Sequence, residues 1–329
     1  MKTSFAAALA AMLAPGAAFA DRVGPPSPAS TVPVPAFAQA DSGGGGLSNP
    51  RSTGLTDLAI EMTNPFGSVF SVFNRVEFTG FQGDLDGAGD QERLNWDVQV
   101  SFPFLLDSGR RIVTRMNFPI NLGEPTYFTP TRDYVEWGIR QDAETLSNGN
   151  PWFDGHGHLS DISWDVSWGG TSDSGWITGI GLAGVLPTGQ DGSIERDQYL
   201  LGPDLTLGKV SDWGILGARL RHLTDVADVV DTIDYSTNET HLEVFLNYPL
   251  NNRWSIVSSP TLVYDWEATS GNHLLLPLGG GVSRMMRWFG VPVKMDIELE
   301  YYVASADTFG PEWLARFSLS PAILDRARR

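Results

Sequence analysis

Val-Lys-Met-Asp-Ile-Glu-Leu-Glu-Tyr, residues 293–301, decides how this chain is read. Val293, Met295, Ile297, Leu299 and Tyr301 fall on one side of a period-two repeat; Lys294, Asp296, Glu298 and Glu300 fall on the other. Successive side chains of an extended strand point to opposite faces, whereas a helix would scatter these residues around its axis. The stretch is therefore a strand with one apolar and one charged face. Upstream the alternation recurs. Leu94, Trp96, Val98, Val100, Phe102 and Phe104 oppose Asn95, Asp97, Gln99 and Ser101. Ile162, Trp164, Val166 and Trp168 oppose Asp161, Ser163, Asp165 and Ser167, and Leu242, Val244, Leu246 and Tyr248 oppose His241, Glu243 and Asn247. Clusters of Gly, Asp, Asn, Ser and Pro separate such runs, the punctuation of strands and turns.

The pattern predicts about twelve strands, centred near residues 74, 98, 116, 164, 181, 204, 218, 243, 260, 279, 298 and 317. Several runs reach about ten residues, the length at which a tilted strand crosses the hydrocarbon of a bilayer. No apolar run of 18 residues follows the first twenty positions, so crossing a membrane would require a closed sheet. Connections alternate in length: 106–110, 209–213, 249–253 and 287–290 are tight, while 80–91, 123–157, 187–197 and 224–238 are long. Those near 268 and 307 are shorter than the rule would have it. Short turns on one side and longer loops on the other are the habit of bacterial barrels. Trp96, Trp164, Trp168, Trp176, Trp213, Trp254, Trp266, Trp288, Tyr301 and Trp313 lie at strand ends or on apolar faces, as interfacial girdles do. A soluble sandwich or barrel would alternate similarly but would bury these rings. The expected fold is all-β: a transmembrane antiparallel β-barrel of about twelve strands over residues 56–329.

Residues 1–20 have the order of a secretory signal: Lys2, an apolar stretch from Phe5 to Leu13, and Ala18-Phe19-Ala20 before Asp21. Residues 21–55, with Pro-Pro-Ser-Pro, Val-Pro-Val-Pro and Gly43 to Gly46, read as a flexible periplasmic leader. A helical turn is expected over Asp57 to Met62, ended by Asn64-Pro65. The chain has no cysteine, which argues against a disulfide-stapled exported domain. Its net charge of -17 and pI of about 4.5 disfavour nucleic acid, whose binding needs a basic face. An acidic balance also simply keeps loops solvated.

Asn247-Tyr248-Pro249-Leu250, Trp254, Ser258-Ser259-Pro260, Trp266, Leu276-Pro277-Leu278-Gly279-Gly280-Gly281 and Gly310-Pro311-Glu312-Trp313 carry a resemblance. With Asn64-Pro65, Val100, Pro103-Phe104, Arg115 and Pro119, they resemble the family of outer-membrane proteins linked by name to the meta-pathway of phenol degradation, often mislabelled neuromedin U. The resemblance implies an outer-membrane barrel in a Gram-negative bacterium with a transport role. It proves no substrate. The 123–157 segment departs from the family, and the C-terminus lacks the terminal aromatic of barrel assembly signals, leaving Phe317 or Leu324 for that role.

With apolar faces toward lipid, the inward face holds Asp97, Arg115, Asp161, Asp165, Asp204, Arg219, Glu243, Asp265, Lys294, Asp296, Glu298 and Glu300. Charge on the lipid face costs about 2–4 kcal/mol at the midplane, which fixes the orientation. Two arrangements fit these residues: a pore whose charges filter solutes, or a lumen plugged by charges that pair across it. Passive passage of small solutes, aromatic ones among the candidates, leads, with a non-transporting structural or surface-interaction barrel as its competitor. A hydrolase stands third: Gly155-His156-Gly157-His158, beside Asp154 and Asp161, is the densest histidine cluster, but spacing fixes no third metal ligand, and a solvated loop explains it better. Gly-x-Ser-x-Gly and His-Glu-x-x-His are absent. The expectation is no enzyme, no cofactor, no metal and no nucleic acid, with outer-membrane lipid and lipopolysaccharide around the barrel. Glycines such as Gly179, Gly181 and Gly184 and prolines such as Pro260 and Pro277 are read as sites of close approach, bend or bulge.

Overall fold

A computed structural model describes residues 54–127, 151–155, 157–189, 196–229 and 236–323. The expected signal peptide, nearly all of the leader, His156 and Leu324 lie outside them, and the 123–157 segment is described only at its ends.

The wall is one antiparallel sheet. Its strands are β1 (Phe70–Gln82), β2 (Glu92–Leu105), β3 (Arg111–Tyr127), β4 (Trp152–Gly155), β5 (His158–Leu159), β6 (Ile162–Thr171), β7 (Trp176–Leu186) and β8 (Gln198–Ser211). They continue with β9 (Gly214–Asp228), β10 (Asn238–Pro249), β11 (Trp254–Ser258), β12 (Thr261–Asp265), β13 (Leu274–Trp288), β14 (Val291–Ala304) and β15 (Gly310–Ile323). The fragments β4, β5 and β6 all run along β3 and make one stave, and β11 and β12 make another, interrupted at Ser259-Pro260. The result is twelve staves. Pairing of β1 with β15, from Phe70↔Ile323 to Gln82↔Gly310, and of β9 with β10 closes the sheet. Closure leaves no edge strand, so backbone donors and acceptors are satisfied within the sheet.

Strict alternation of burial shows which face is which. On β1, Ser71, Phe73, Arg75, Glu77 and Thr79 are buried and the residues between them are partly exposed. On β14, Lys294, Asp296, Glu298 and Glu300 are buried, whereas Ile297, Leu299 and Tyr301 are exposed. The polar face points inward and the apolar face outward, the reverse of a soluble core. Trp168, Trp176, Trp213, Trp254, Trp266 and Trp288 are all exposed on the outside, where a bilayer would solvate them.

The connections sort by end. Residues 106–110, 172–175, 212–213, 250–253 and 289–290 form tight turns at the end where β1 begins, and the longer connections lie at the other. In a bacterial outer membrane the tight-turn end faces the periplasm.

The wall begins at Phe70, and the chain before it, where a helical turn was expected, is filling. Helix α1 (Leu55–Glu61) is followed by an irregular stretch in which Met62, Phe66 and Val69 are almost wholly buried. Met62 and Val69 pack with Met285 and Ala322. Phe66 packs with Val113, Ile177, Ile215 and Phe245. Those partners belong to staves all around the barrel, so this segment sits inside the lumen at the tight-turn end.

Candidate functional site in the barrel interior

From the tight-turn end upward, the interior is built in three layers. The lowest is the apolar collar of Val113, Ile177, Ile215, Phe245, Met285 and Ala322, filled by residues 54–69. Polar anchors fix that filling to opposite sides: Asn64 Nδ2 donates to Thr171 Oγ1 (2.8 Å), Asn247 Nδ2 donates to Thr63 Oγ1 (3.2 Å), and Arg111 Nη1 donates to the Phe66 carbonyl (3.0 Å).

The middle layer is charged. Its first sector joins β3, β6, β8 and β9. Arg115 Nε donates to Asp165 Oδ2 at 3.0 Å; Arg219 Nε donates to Asp204 Oδ1 at 2.9 Å, and its Nη2 lies 2.8 Å from Asp165 Oδ2 and also binds Asp204 Oδ2. Ser167 Oγ donates to Asp204 Oδ2 at 3.3 Å. Nearby, Arg221 Nη2 approaches Glu243 Oε2 at 3.4 Å, and Asn117 Nδ2 donates to Asp97 Oδ1 at 3.2 Å. A second sector centres on Arg316 of β15. Its Nε donates to Glu77 Oε1 at 2.7 Å, its Nη1 donates to Glu300 Oε1 at 2.8 Å and to Ser259 Oγ at 3.1 Å, and Glu298 Oε1 stands 3.9 Å away. Ser259 Oγ in turn lies 2.9 Å from both carboxylate oxygens of Glu298. Lys294 Nζ is 3.3 Å from Asp296 Oδ1. A cavity of about 20 Å³, room for about one water, opens between these groups and the filling, lined by Thr63, Arg75, Lys294, Glu298 and Arg316.

The uppermost layer, at the loop end, is mixed. Glu239 Oε1 pairs with Arg196 (2.7 Å) and its Oε2 with His241 Nε2 (3.0 Å). Also at the loop end, the rings of Phe81 and Phe309 stack at 4.5 Å, Trp152 tilts against Phe309 at 4.7 Å, and Tyr127 meets Trp152 edge-on at 5.0 Å. Trp152 Nε1 donates to the Asp86 carbonyl at 2.7 Å, tying this aromatic lid to the β1–β2 loop.

Of the inward residues predicted from sequence, Asp97, Arg115, Asp165, Asp204, Arg219, Glu243, Lys294, Asp296, Glu298 and Glu300 are buried in the middle layer. Asp161 and Asp265 sit at the loop end instead. Asp161 Oδ1 accepts from the Gly189 N–H at 2.9 Å, and the half-exposed Asp265 accepts from the N–H groups of Glu267 (2.9 Å) and Ala268 (3.2 Å), so both cap loop entries. The inward set also contains Arg75, Glu77, Arg221, Glu239 and Arg316, which obey the same alternation rule without having been predicted from it.

The described histidines stand apart from one another. His222 Nδ1 is hydrogen-bonded to Thr240 Oγ1 (2.9 Å) and His273 Nδ1 to the Asp265 carbonyl (3.0 Å), while His241 binds Glu239. His158 is buried on β5 beside β3. Among the described residues no group of three metal-ligating side chains is assembled.

No protein-family profile matches the chain, and no curated protein matches it. Among solved structures, an outer-membrane channel from Pseudomonas putida F1 is similar with a TM-score of 0.52 at 9% identity, covering 78% of this chain and 94% of that one. The NanC porin aligns at a TM-score of 0.44 and 11% identity over 77% of this chain and 100% of that one. The KdgM porin, solved with disordered oligogalacturonate, aligns at 0.37 and 10% over 77% and 99%. At such identities a likeness is one of fold alone. The chain is a closed, twelve-stranded antiparallel β-barrel of the kind found in bacterial outer membranes.

Proposed function

We propose that this protein is an outer-membrane channel for passive passage of small solutes, held shut in the conformation described above. The observation that carries the reading is the chemistry of the middle layer. Removing charges from water costs several kcal/mol per ion, and well-packed hydrocarbon is often as stable or more stable. A barrel selected only to be a rigid wall would gain by filling its middle with apolar side chains, as this one does in its collar. Instead the middle holds guanidinium and carboxylate groups. Gln99 is buried with neither side-chain polar atom partnered among the described residues. An unpartnered buried polar group costs about 1–3 kcal/mol, a cost removed where water enters.

Most of these ion pairs join neighbouring staves or neighbours on one strand, so the side chains lie along the wall, and the lumen can widen without unpairing them. The P. putida channel shares this fold. The resemblance to the phenol meta-pathway family supplies the solute class, small aromatic molecules. Lipid and lipopolysaccharide would cover the apolar exterior.

The mutual pairing of the charges also favours a second reading, a non-transporting barrel with a plugged lumen. Planar-bilayer recordings on the full chain separate the two. A channel gives discrete current steps, and liposomes carrying it swell faster in benzoate than in a disaccharide. Silence from both the native chain and a Phe66→Ala variant, each still folded by heat-modifiable gel migration, would leave only the plugged barrel.

A further inference from the structure

The filling of the tight-turn end has the form of a stopper with a specific anchor. Phe66 is wholly buried, and its ring lies against Gly169 of β6 and Gly179 of β7, where a methyl group on either glycine would collide with it. The two glycines face each other across the β6–β7 pair. They leave a ring-sized recess in an otherwise ordinary wall. Val113, Ile177, Ile215 and Phe245 complete the recess with hydrocarbon. At its edge the buried guanidinium of Arg111 donates to the Phe66 carbonyl. The recess thus recognises a planar ring next to an oxygen acceptor.

Elsewhere the segment is held by side-chain contacts that include Asn64 to Thr171, Asn247 to Thr63, and Thr56 Oγ1 to the Asn251 carbonyl (3.4 Å), and by the packing of Leu58, Met62 and Val69 on Met285 and Ala322. Among the described residues it adds no strand to the wall. Side-chain hydrogen bonds of this kind are individually weak, because breaking them returns both groups to water. The segment can leave without breaking the sheet, and on leaving it uncovers the cavity beneath Arg316 and Lys294.

We propose that residues 54–69 are a displaceable periplasmic plug and that the Phe66 recess is a binding subsite for a monocyclic aromatic acid. The solute's ring replaces the ring of Phe66, and its carboxylate replaces the Phe66 carbonyl at Arg111. A charged acceptor makes the stronger hydrogen bond to a guanidinium, so the solute competes for the recess with an advantage over the chain's own neutral carbonyl. The solute that passes is then the signal that opens the path. This inference rests on the channel reading above.

Three variants of the full chain test it by single-channel recording, each first checked for a folded, heat-modifiable band. Phe66→Ala removes the anchor, and Gly179→Ala fills the recess from the wall; both are expected to raise the open fraction several-fold. Thr63→Cys with Asn247→Cys places two thiols where side chains already touch, in a chain with no cysteine of its own. Joined by a short bismaleimide linker, this pair is expected to hold the channel closed, whereas the unlinked protein behaves as the native chain does. Benzoate at millimolar concentration is expected to raise the native open fraction and to leave that of Phe66→Ala unchanged, while cyclohexylmethanol changes neither protein. Equal current from native, linked and Phe66→Ala proteins overturns the plug while leaving the channel. Plug variants that open more but a native protein indifferent to benzoate overturn the subsite. Silence from every folded variant takes down the channel reading itself, and the plug with it.

Discussion

Arg219 concentrates the electrostatics of the lumen, because one guanidinium serves two buried carboxylates, Asp165 and Asp204. Replacing it by Met leaves both anions facing each other beside Arg115, which donates to Asp165. Breaking a buried pair from one side costs about 3–5 kcal/mol, most of it the uncompensated charge left behind. Arg219→Met is therefore expected to lower the urea midpoint of the folded gel band sharply. Combining Arg219→Met with Asp204→Asn, which removes the orphaned charge and leaves Asp165 paired with Arg115, is expected to recover most of the loss; a single variant as stable as the native chain would show that the cluster is already hydrated. Sequence alone places Arg219 on the inward face because Leu216, Ala218 and Leu220 alternate with it. It does not show that Arg219 reaches Asp165, which lies two staves beyond its own neighbour β8, since only the register of β6 through β9 brings them together. The same alternation contains Arg75, Glu77 and Arg316, so those were equally readable, though from strands whose apolar faces are less regular.

At the scale of elements, the strands were the readable part and residues 54–69 were not. Every predicted strand centre falls within a stave, because a sheet wet or charged on one side and apolar on the other imposes a period of two that nothing else in the chain mimics. Pro260, expected at a bulge or strand end, splits a stave in two and frees Ser259 to reach Glu298 and Arg316. The helical turn was also expected, but its place was not. Met62, Phe66 and Val69 are spaced as on one helix face, yet the helix ends at Glu61, and Met62 and Val69 turn to one side of the surrounding wall while Phe66 turns to another, which the spacing does not announce. Lipid exposure of the outer face carries its own prediction. Leu299 is 63% exposed on β14, between the inward Glu298 and Glu300. An Arg there would face hydrocarbon and cost about 2–4 kcal/mol near the midplane. Leu299→Arg is expected to slow folding into phosphatidylcholine vesicles and lower the folded yield, whereas Leu299→Phe folds normally. Indifference to the arginine would mean that this face is not in lipid.

Across the whole molecule, charge is divided by end. The loop end exposes Asp84, Asp86, Asp90, Glu92, Glu267 and Asp307, while the tight-turn end carries Arg110, Lys209, Arg253 and Arg287 among fewer acids. Carboxylates gathered at one mouth raise the local concentration of cations there and repel anions, and the field reaches about one Debye length, roughly 10 Å at 0.1 M salt and 3 Å at 1 M. If solutes pass through the lumen, the acidic mouth acts first and Glu298 and Glu300 act deeper, so the two contributions separate by ionic strength. The reversal potential under a potassium chloride gradient is expected to report cation preference at about 0.1 M and to lose most of it by about 1 M. Neutralising Asp84, Asp86 and Asp90 together to Asn is expected to remove only the salt-sensitive share. Glu298→Ala, close to Arg316 where ions in solution screen least, is expected to shift preference toward anions at both concentrations. A native preference that survives undiminished at high salt would assign selectivity to the buried layer alone and make the acidic mouth a matter of solubility.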